Sequence, residues 1–418
     1  MNAFRNIRVI PVVLIAVACL AVLKVAGLVI DGGYVFEYNP QATKRSWAQE
    51  NLGYPGREDN DLVTGSTHGE TRITRAAIGE GVDYTPLARR SHQIWRELER
   101  ETGTHLFQQC GCLFIPSQHG GAVHGVSSGQ FFANIEAAAR LHGVDGETLS
   151  AERLRADYPA FATAPGDRAF LDREGGYLLV EDCVRTELVV AARHGAELVT
   201  GRRVTAFRRA AGVLSVTLED GTTTSATTLI VTTGPWITEM IAPLRRRVHI
   251  TRQVLYWFEI LSNPQRFGPD APVFIWDVTG RAGAASDIYG FPWLGSPGNG
   301  VKLANEVMTG ETDPDHVGRE VTADEIAATY ETYVRPFVPD LGPKCLRSEV
   351  CLYTNASGGR FIIDRDPGAP EVIYASACSG HGFKHSPAVG EALAAMALGQ
   401  APLVDLSGFT LDRLAAAP

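Results

Sequence analysis

No stretch of this chain is dense in lysine or arginine, and 47 acidic against 38 basic residues leave a formal net charge of −9. A phosphate backbone is gripped by a basic face, so a nucleic-acid partner is excluded. A disulfide framework is missing too. The seven cysteines, an odd number, are scattered from Cys19 to Cys378, which points to a reducing, cytoplasmic setting. Cys110-Gly111-Cys112 is too tight for a CxxC redox turn and no nearby Cys/His pair completes a zinc spacing, so no metal is expected. There are no internal repeats, and the only biased tract is the alanine-rich end from Leu414 to Pro418. What remains is 418 residues, 45% of them hydrophobic, enough for a large core and two interleaved domains.

Only one long apolar run is present, Val9 to Ile30, interrupted by Lys24 and preceded by Arg5 and Arg8. Its length and basic flank suit a membrane anchor. Lys24 would then lie in the hydrocarbon slab at a cost of about 2.5–3.5 kcal/mol unless it snorkels. The same run also reads as two buried strands around a short helix, and residues 41–62 as a polar loop. A third reading is an N-terminal segment unrelated in origin to the rest.

Further on, apolar spacing predicts helices over Leu87 to Thr102, Phe131 to His142, Glu181 to His194, Glu325 to Val334 and Val389 to Leu398. Strands are expected at Phe107 to Ile115, Ala196 to Val199, Arg252 to Ile260, Phe274 to Val278 and Val372 to Ala375. The segments Val204-Phe207, Val213-Leu218 and Thr228-Val231 read as an antiparallel meander closing on Gly234.

The most telling segment is Ser379-Gly380-His381-Gly382-Phe383-Lys384, between a strand and a helix. A strand that ends in glycines and feeds a helix start leaves backbone N–H groups pointing one way, toward a phosphate, a carboxylate or an electron-rich ring edge. Lys384 adds what the sequence presents as a fixed positive charge. A tight turn with a surface lysine is the plainer alternative, but other motifs accompany it in order. They are Gly65 to Arg75, Tyr84-Thr85-Pro86-Leu87-Ala88, Leu229 to Trp236, Tyr289-Gly290-Phe291-Pro292 ahead of Lys302, and Arg347 to Asn355 followed by Phe361-Ile362-Ile363-Asp364.

With these motifs the chain, from about Val63 to Ala401, resembles the monomeric sarcosine oxidase and N-methyl-amino-acid oxidase group of D-amino-acid-oxidase-like flavoenzymes. The resemblance implies a mixed α/β (α+β) fold in which a three-layer FAD-binding domain (65–85, 150–237 and 345–402) interleaves with an antiparallel-sheet substrate domain (86–149 and 238–344). It also implies a monomer that oxidises a secondary amine amino acid to an imine and reduces oxygen to hydrogen peroxide. Cys351 aligns with the cysteine that bonds covalently to the flavin, and Ser66, Gly234, Gly380, His381, Gly382 and Phe383 fall in cofactor motifs. Arg72 and His68 align with residues beside the flavin ring and Lys302 with the oxygen-activating lysine, although its segment is longer than the family's. Arg75 and Lys384 align with the clamp on the substrate carboxylate, and Tyr289 and Tyr353 with the pocket walls. Glu306 stands where sarcosine oxidases place a histidine, which puts sarcosine itself in doubt.

Residues 1–64 depart from the family. Its members open with a strand, a Gly-x-Gly-x-x-Gly turn and a helix, because only glycine lets the backbone approach a pyrophosphate closely. That fingerprint is absent here. Val25 to Asp31 instead imitates the strand whose terminal acid holds the ribose hydroxyls. The chain as written is therefore expected to hold flavin weakly. Two alternatives follow: a flavin-free or inactive relative, and a membrane-anchored dehydrogenase that passes electrons to a quinone.

Overall fold

The computed structural model describes residues 28–30 and 65–415, except 197–198, 200–201, 211–212, 296–297 and 308. Strands Leu28–Ile30, Leu229–Val231 and Ala369–Ser376 lie side by side and parallel, and Ile362–Asp366 adds to the last of them antiparallel. Uninterrupted apolar runs such as Leu229-Ile230-Val231 suit strands covered on both faces. The covering is visible in the core. Ile230, Ile363, Ile373 and Ala375 pack with helices Thr85–Thr102, Val180–Arg193 and Ser386–Ala397. Their sequence neighbours Leu229, Val231, Ile362, Val372 and Tyr374 pack on the opposite side, against Leu214 and Val216 of a three-stranded meander. Helices, sheet and meander thus form three layers.

Helix Thr85–Thr102 shows how closely local chemistry sets an element. Pro86 sits in its first turn, Leu87, Ile94, Trp95 and Leu98 are buried along one stripe, and Gly103 ends it at φ 74 with its N–H donated to Glu99. A larger nine-stranded sheet is built around Val248–Ile260, which pairs with Leu341–Ala356, Val301–Asn305 and Thr309–Glu311. It continues through Asp287–Gly290, Val273–Asp277, Cys112–Ile115, Ala169–Asp172 and Gly146–Leu149, and only the 273–277/112–115 contact is parallel. Thr71–Thr74, Gly176–Leu179 and Phe107–Gln108 form a small antiparallel sheet.

Several expectations need correction. Leu229–Val231 does not belong to the meander, whose third strand is Thr223–Ala226. It is the middle strand of the parallel set. The strand expected from Phe107 to Ile115 splits at Gly111, which adopts φ 89 and donates its N–H to Gly175. The helix expected over Glu325 to Val334 is Ala323–Thr329, with a capping box between Thr322 and Glu325, followed by a π turn over Tyr330–Val334. Of the apolar run Val9 to Ile30, only Leu28–Ile30 is described, as a strand. The rest lies outside the described residues, with Asp31, the loop 41–62 and part of the strand expected at 196–199. Among the described residues no helix is long and apolar enough to cross a membrane.

Candidate active site

The loop that leads into strand Thr71–Thr74 passes through two left-handed residues, Gly69 (φ 91) and Glu70 (φ 67), and turns its carbonyls inward. Lys302, on Val301–Asn305, donates to the carbonyl oxygens of Gly69 and Thr71 at 2.6 Å each and lies over the Phe291 ring at 4.3 Å. Burial first, then Arg72, hold its ammonium well below the usual lysine range. Arg72 donates to the carbonyls of Ser66 (2.7 Å) and Thr71 (2.9 Å), and the Ser66 hydroxyl donates to Leu352. The backbone N–H groups of Gly69 and Glu70 converge on Glu181 at 2.8 and 3.1 Å. His68 Nδ1 lies 3.1 Å from Glu349, and Arg347 joins Glu349 to Glu70. Lys302, Arg72, Ser66 and His68 are thus assembled around one loop.

Alternation along Leu341–Ala356 puts Glu349, Cys351 and Tyr353 on one face. Cys351 packs with Leu255, Trp257, Ala304 and Tyr353 and is only 1% exposed. Burial raises its thiol pKa, while Arg72 and Lys302 work the other way. Tyr289 shares this wall, its hydroxyl 3.2 Å from that of Tyr353.

Beside this wall is a chain of buried charges. Both terminal nitrogens of Arg75 donate to Glu80, at 2.9 and 2.7 Å. Glu80 Oε1 lies 2.8 Å from His124 Nδ1, and His124 Nε2 lies 2.7 Å from Glu306 Oε1. Burial works to raise the Glu80 pKa, but Arg75, His381, Lys384 and His124 together keep it well below the usual carboxylate range. Burial likewise opposes the His124 imidazolium, yet Glu306 and Glu80 lift its pKa to about 9. Lys384 donates to the His381 carbonyl at 2.5 Å. Burial, reinforced by Arg75, lowers Lys384 to about 7, so its charge is not fixed as the sequence suggested.

Arg75 and Lys384 are both buried and close enough for their charges to interact, and the Arg75 fork is engaged by Glu80. Gly380 (φ 78) has no room for a side chain, since a Cβ would come within 2.8 Å of Tyr353 and 3.0 Å of His124. His381 Nε2 contacts the Gly359 carbonyl at 2.9 Å, and His385 is buried against Tyr84 and Phe361. Phe383 stacks on Trp95 on the helix side of the parallel sheet. Among the described residues no group of His, Cys, Asp or Glu is arranged to hold a metal ion. Sequence reading missed Glu80, His124 and Glu181. The one available signal was the His124-Gly125 pair between short β-prone runs, a hairpin turn dipeptide.

Glu349 carries a prediction. Against burial, His68 and Arg347 hold its carboxyl at about 2, below the ordinary 4.5. A depressed acid stabilises the fold above its unfolded pKa and loses that contribution as pH falls through the folded value. The difference corresponds to about 3 kcal/mol at neutral pH. Glu349→Gln is expected to lower the urea midpoint at pH 7 and to approach the parent protein as pH drops below 4.5. An equal loss at pH 7 and pH 3.5 would show that the ion pairs are not the cause.

Ligands of parallel sheets bind outside the carboxyl ends of the strands. Here those ends lead into Thr233-Gly234 and Ala377 to Gly382. Gly234 adopts φ 50 with open space beside it, and the buried Thr233 Oγ1, Ser376 Oγ and His68 Nε2 have no hydrogen-bond partner among the described residues. Orphaned donors and acceptors beside a glycine opening fit a bound nucleotide-linked ring.

Comparison with known proteins agrees. Residues 57–396 match the family model described as FAD dependent oxidoreductase. Monomeric sarcosine oxidase of Bacillus sp. (strain B-0618) is 32% identical over 358 residues, 85% of this chain and 88% of that one. N-methyl-L-tryptophan oxidase of Yersinia pestis (strain Pestoides F) is 32% identical over 357 residues, 84% and 89% of the two chains. Two solved structures share the fold at lower identity. One is NikD, an unusual amino acid oxidase essential for nikkomycin biosynthesis (20% identity, TM-score 0.67, 83% of this chain and 88% of that one). The other is L-proline dehydrogenase from P. horikoshii (16% identity, TM-score 0.66, 84% and 87%).

Proposed function

Because this chain belongs to the FAD-dependent oxidoreductase family, we propose that it oxidises an N-methyl or other secondary-amine amino acid to an imine and reduces oxygen to hydrogen peroxide. FAD, when bound, supplies the two-electron chemistry. The protein supplies binding, orientation and charge. The observation that supports the reading is that a buried lysine, Lys302, and a buried cysteine, Cys351, lie on one aromatic and apolar wall around Trp257, while Arg75 and Lys384 are buried as a second, interacting pair of cations. Arg75 and Lys384 hold the substrate carboxylate, the arginine through a planar fork and the lysine as a compact charge. Tyr289 and Tyr353 orient the amine, and the surrounding burial excludes water. Arg72 and His68 line the ring side of the site together with Lys302. Ser66, Gly234, Gly380, Gly382 and Phe383 belong to the cofactor's surroundings, with His381.

The test is oxygen uptake by the purified protein with sarcosine and larger N-methyl amino acids, coupled to peroxidase. One peroxide per oxygen consumed is expected. Substrate-dependent reduction of a quinone or dye without oxygen uptake would replace the oxidase by a dehydrogenase.

Cys351 gives a second test. Yellow colour should stay with the acid-precipitated parent polypeptide, whereas Cys351→Ala should release it to the supernatant. Coloured supernatant from the parent would refute covalent attachment.

A further inference from the structure

Lys302 is held by a turn, and helix Val180–Arg193 holds that turn. Gly69 (φ 91) and Glu70 (φ 67) take left-handed backbone in succession, and at Glu70, a non-glycine residue, this conformation persists only where neighbours fix it. The start of the helix does so. Glu181 Oε1 accepts from the Gly69 N–H at 2.8 Å and from the Glu70 N–H at 3.1 Å, and the Val180 N–H donates to the Glu70 carbonyl at 3.0 Å. The Glu70 carboxylate is tied in turn, by Trp257 Nε1 at 2.9 Å, Asn299 Nδ2 at 2.8 Å and Arg347 at 2.8 Å.

Glu181 and Lys302 grip the same peptide group from its two edges. The Gly69 carbonyl and the Glu70 N–H belong to one trans peptide, in which they point in opposite directions. That peptide has the Glu181 carboxylate 3.1 Å from its nitrogen and the Lys302 ammonium 2.6 Å from its oxygen. Its dipole lies along both attractions, so each hydrogen bond strengthens the other. Lys302 completes its set of acceptors with the Thr71 carbonyl at 2.6 Å and the Thr71 hydroxyl at 3.3 Å. Burial opposes its charge most strongly and Arg72 next, whereas Glu181, Glu70 and Cys351 favour it.

We propose that Glu181 is the positioning residue of Lys302: across the Gly69–Glu70 peptide it fixes where Nζ stands and stabilises the positive charge there. Its effect on turnover rests on the oxygen reaction proposed above, while its effect on Lys302 does not.

Both effects are measurable. The chain has five lysines, so labelling lysine Cε with carbon-13 gives few NMR signals, and the one that Lys302→Met removes belongs to Lys302. Its chemical shift follows the protonation of Nζ. In Glu181→Gln the side-chain oxygen still accepts both N–H groups, but the carboxylate charge is gone. The Lys302 midpoint is expected about one pH unit below that of the parent. The Lys384 midpoint, set by burial with Arg75, Glu80, Cys112 and Glu306, should stay where it is. Glu181→Asp keeps the charge and should remain closer to the parent. Oxygen uptake needs the ammonium, so the pH above which uptake falls should drop in Glu181→Gln by the same amount. A glutamate with a merely structural role would lower the rate and leave that pH unchanged. An unmoved Lys302 midpoint in Glu181→Gln, an equal drop in Glu181→Asp, or a drop that Lys384 shares would each overturn the inference. Midpoints that move as expected in a protein that consumes no oxygen with any N-methyl amino acid would keep Glu181 in this role and remove the oxidase reaction.

Discussion

Lys302→Met is expected to lower substrate-dependent oxygen uptake by about 10²–10³, the usual effect of removing one preorganised charge from a water-excluded site. Bleaching of the protein's visible absorbance by substrate under argon should stay within about tenfold of the parent. The reason is local. Lys302 is buried against Phe291 and Trp257, so its charge, in the protonated form, is set to act with little screening on an electron-rich oxygen species in the proposed reaction. The methionine chain fills the same space without the charge. The variant should fold, because the two carbonyls that lose the ammonium keep other donors: Gly69 accepts from the Thr71 N–H at 2.8 Å, and Thr71 accepts from Arg72 at 2.9 Å. If bleaching and oxygen uptake fell together, the lysine would be structural.

Arg75→Met should raise KM for an N-methyl amino acid by about 10²–10³, as expected when one partner of a buried charge-assisted pair is lost. Lys384→Met should act in the same direction with a smaller effect. A matching amine without a carboxylate should be affected far less by either change. The Arg75–Glu80 pair is compatible with the proposed role, because His124, 2.8 Å from Glu80, would still offset that carboxylate with the guanidinium turned to a substrate. A pH dependence accompanies it. Lys384 titrates at about 7, and its protonated form attracts the carboxylate, so KM should climb as pH rises through that value and Lys384→Met should flatten the climb. Equal losses for the acid and the carboxylate-free amine would remove both residues from the carboxylate site.

The sequence by itself determined the elements whose causes are local and the order of the motifs. Helix Thr85–Thr102 was legible because a proline, an apolar stripe and a terminal glycine all lie within it. The loop from Gly65 to Arg75, strand Leu341–Ala356 and the turn from Ser379 to Lys384 were legible as a set, and that set named the flavoenzyme family. What it could not decide was whatever depends on partners far along the chain. The three apolar residues of Leu229–Val231 have no period that separates a half-buried meander strand from one covered on both faces, and only pairing with Leu28–Ile30 and Ala369–Ser376 settled it. Lys384 read as a fixed charge because lysine ordinarily is one, and burial beside Arg75 made it titrate near neutrality. Glu306 was visible as a departure from the family, but its ion pair is with His124, 182 positions away, which a two-residue hairpin lifts into reach. Charges buried by tertiary packing acquire their states from neighbours that no local pattern encodes.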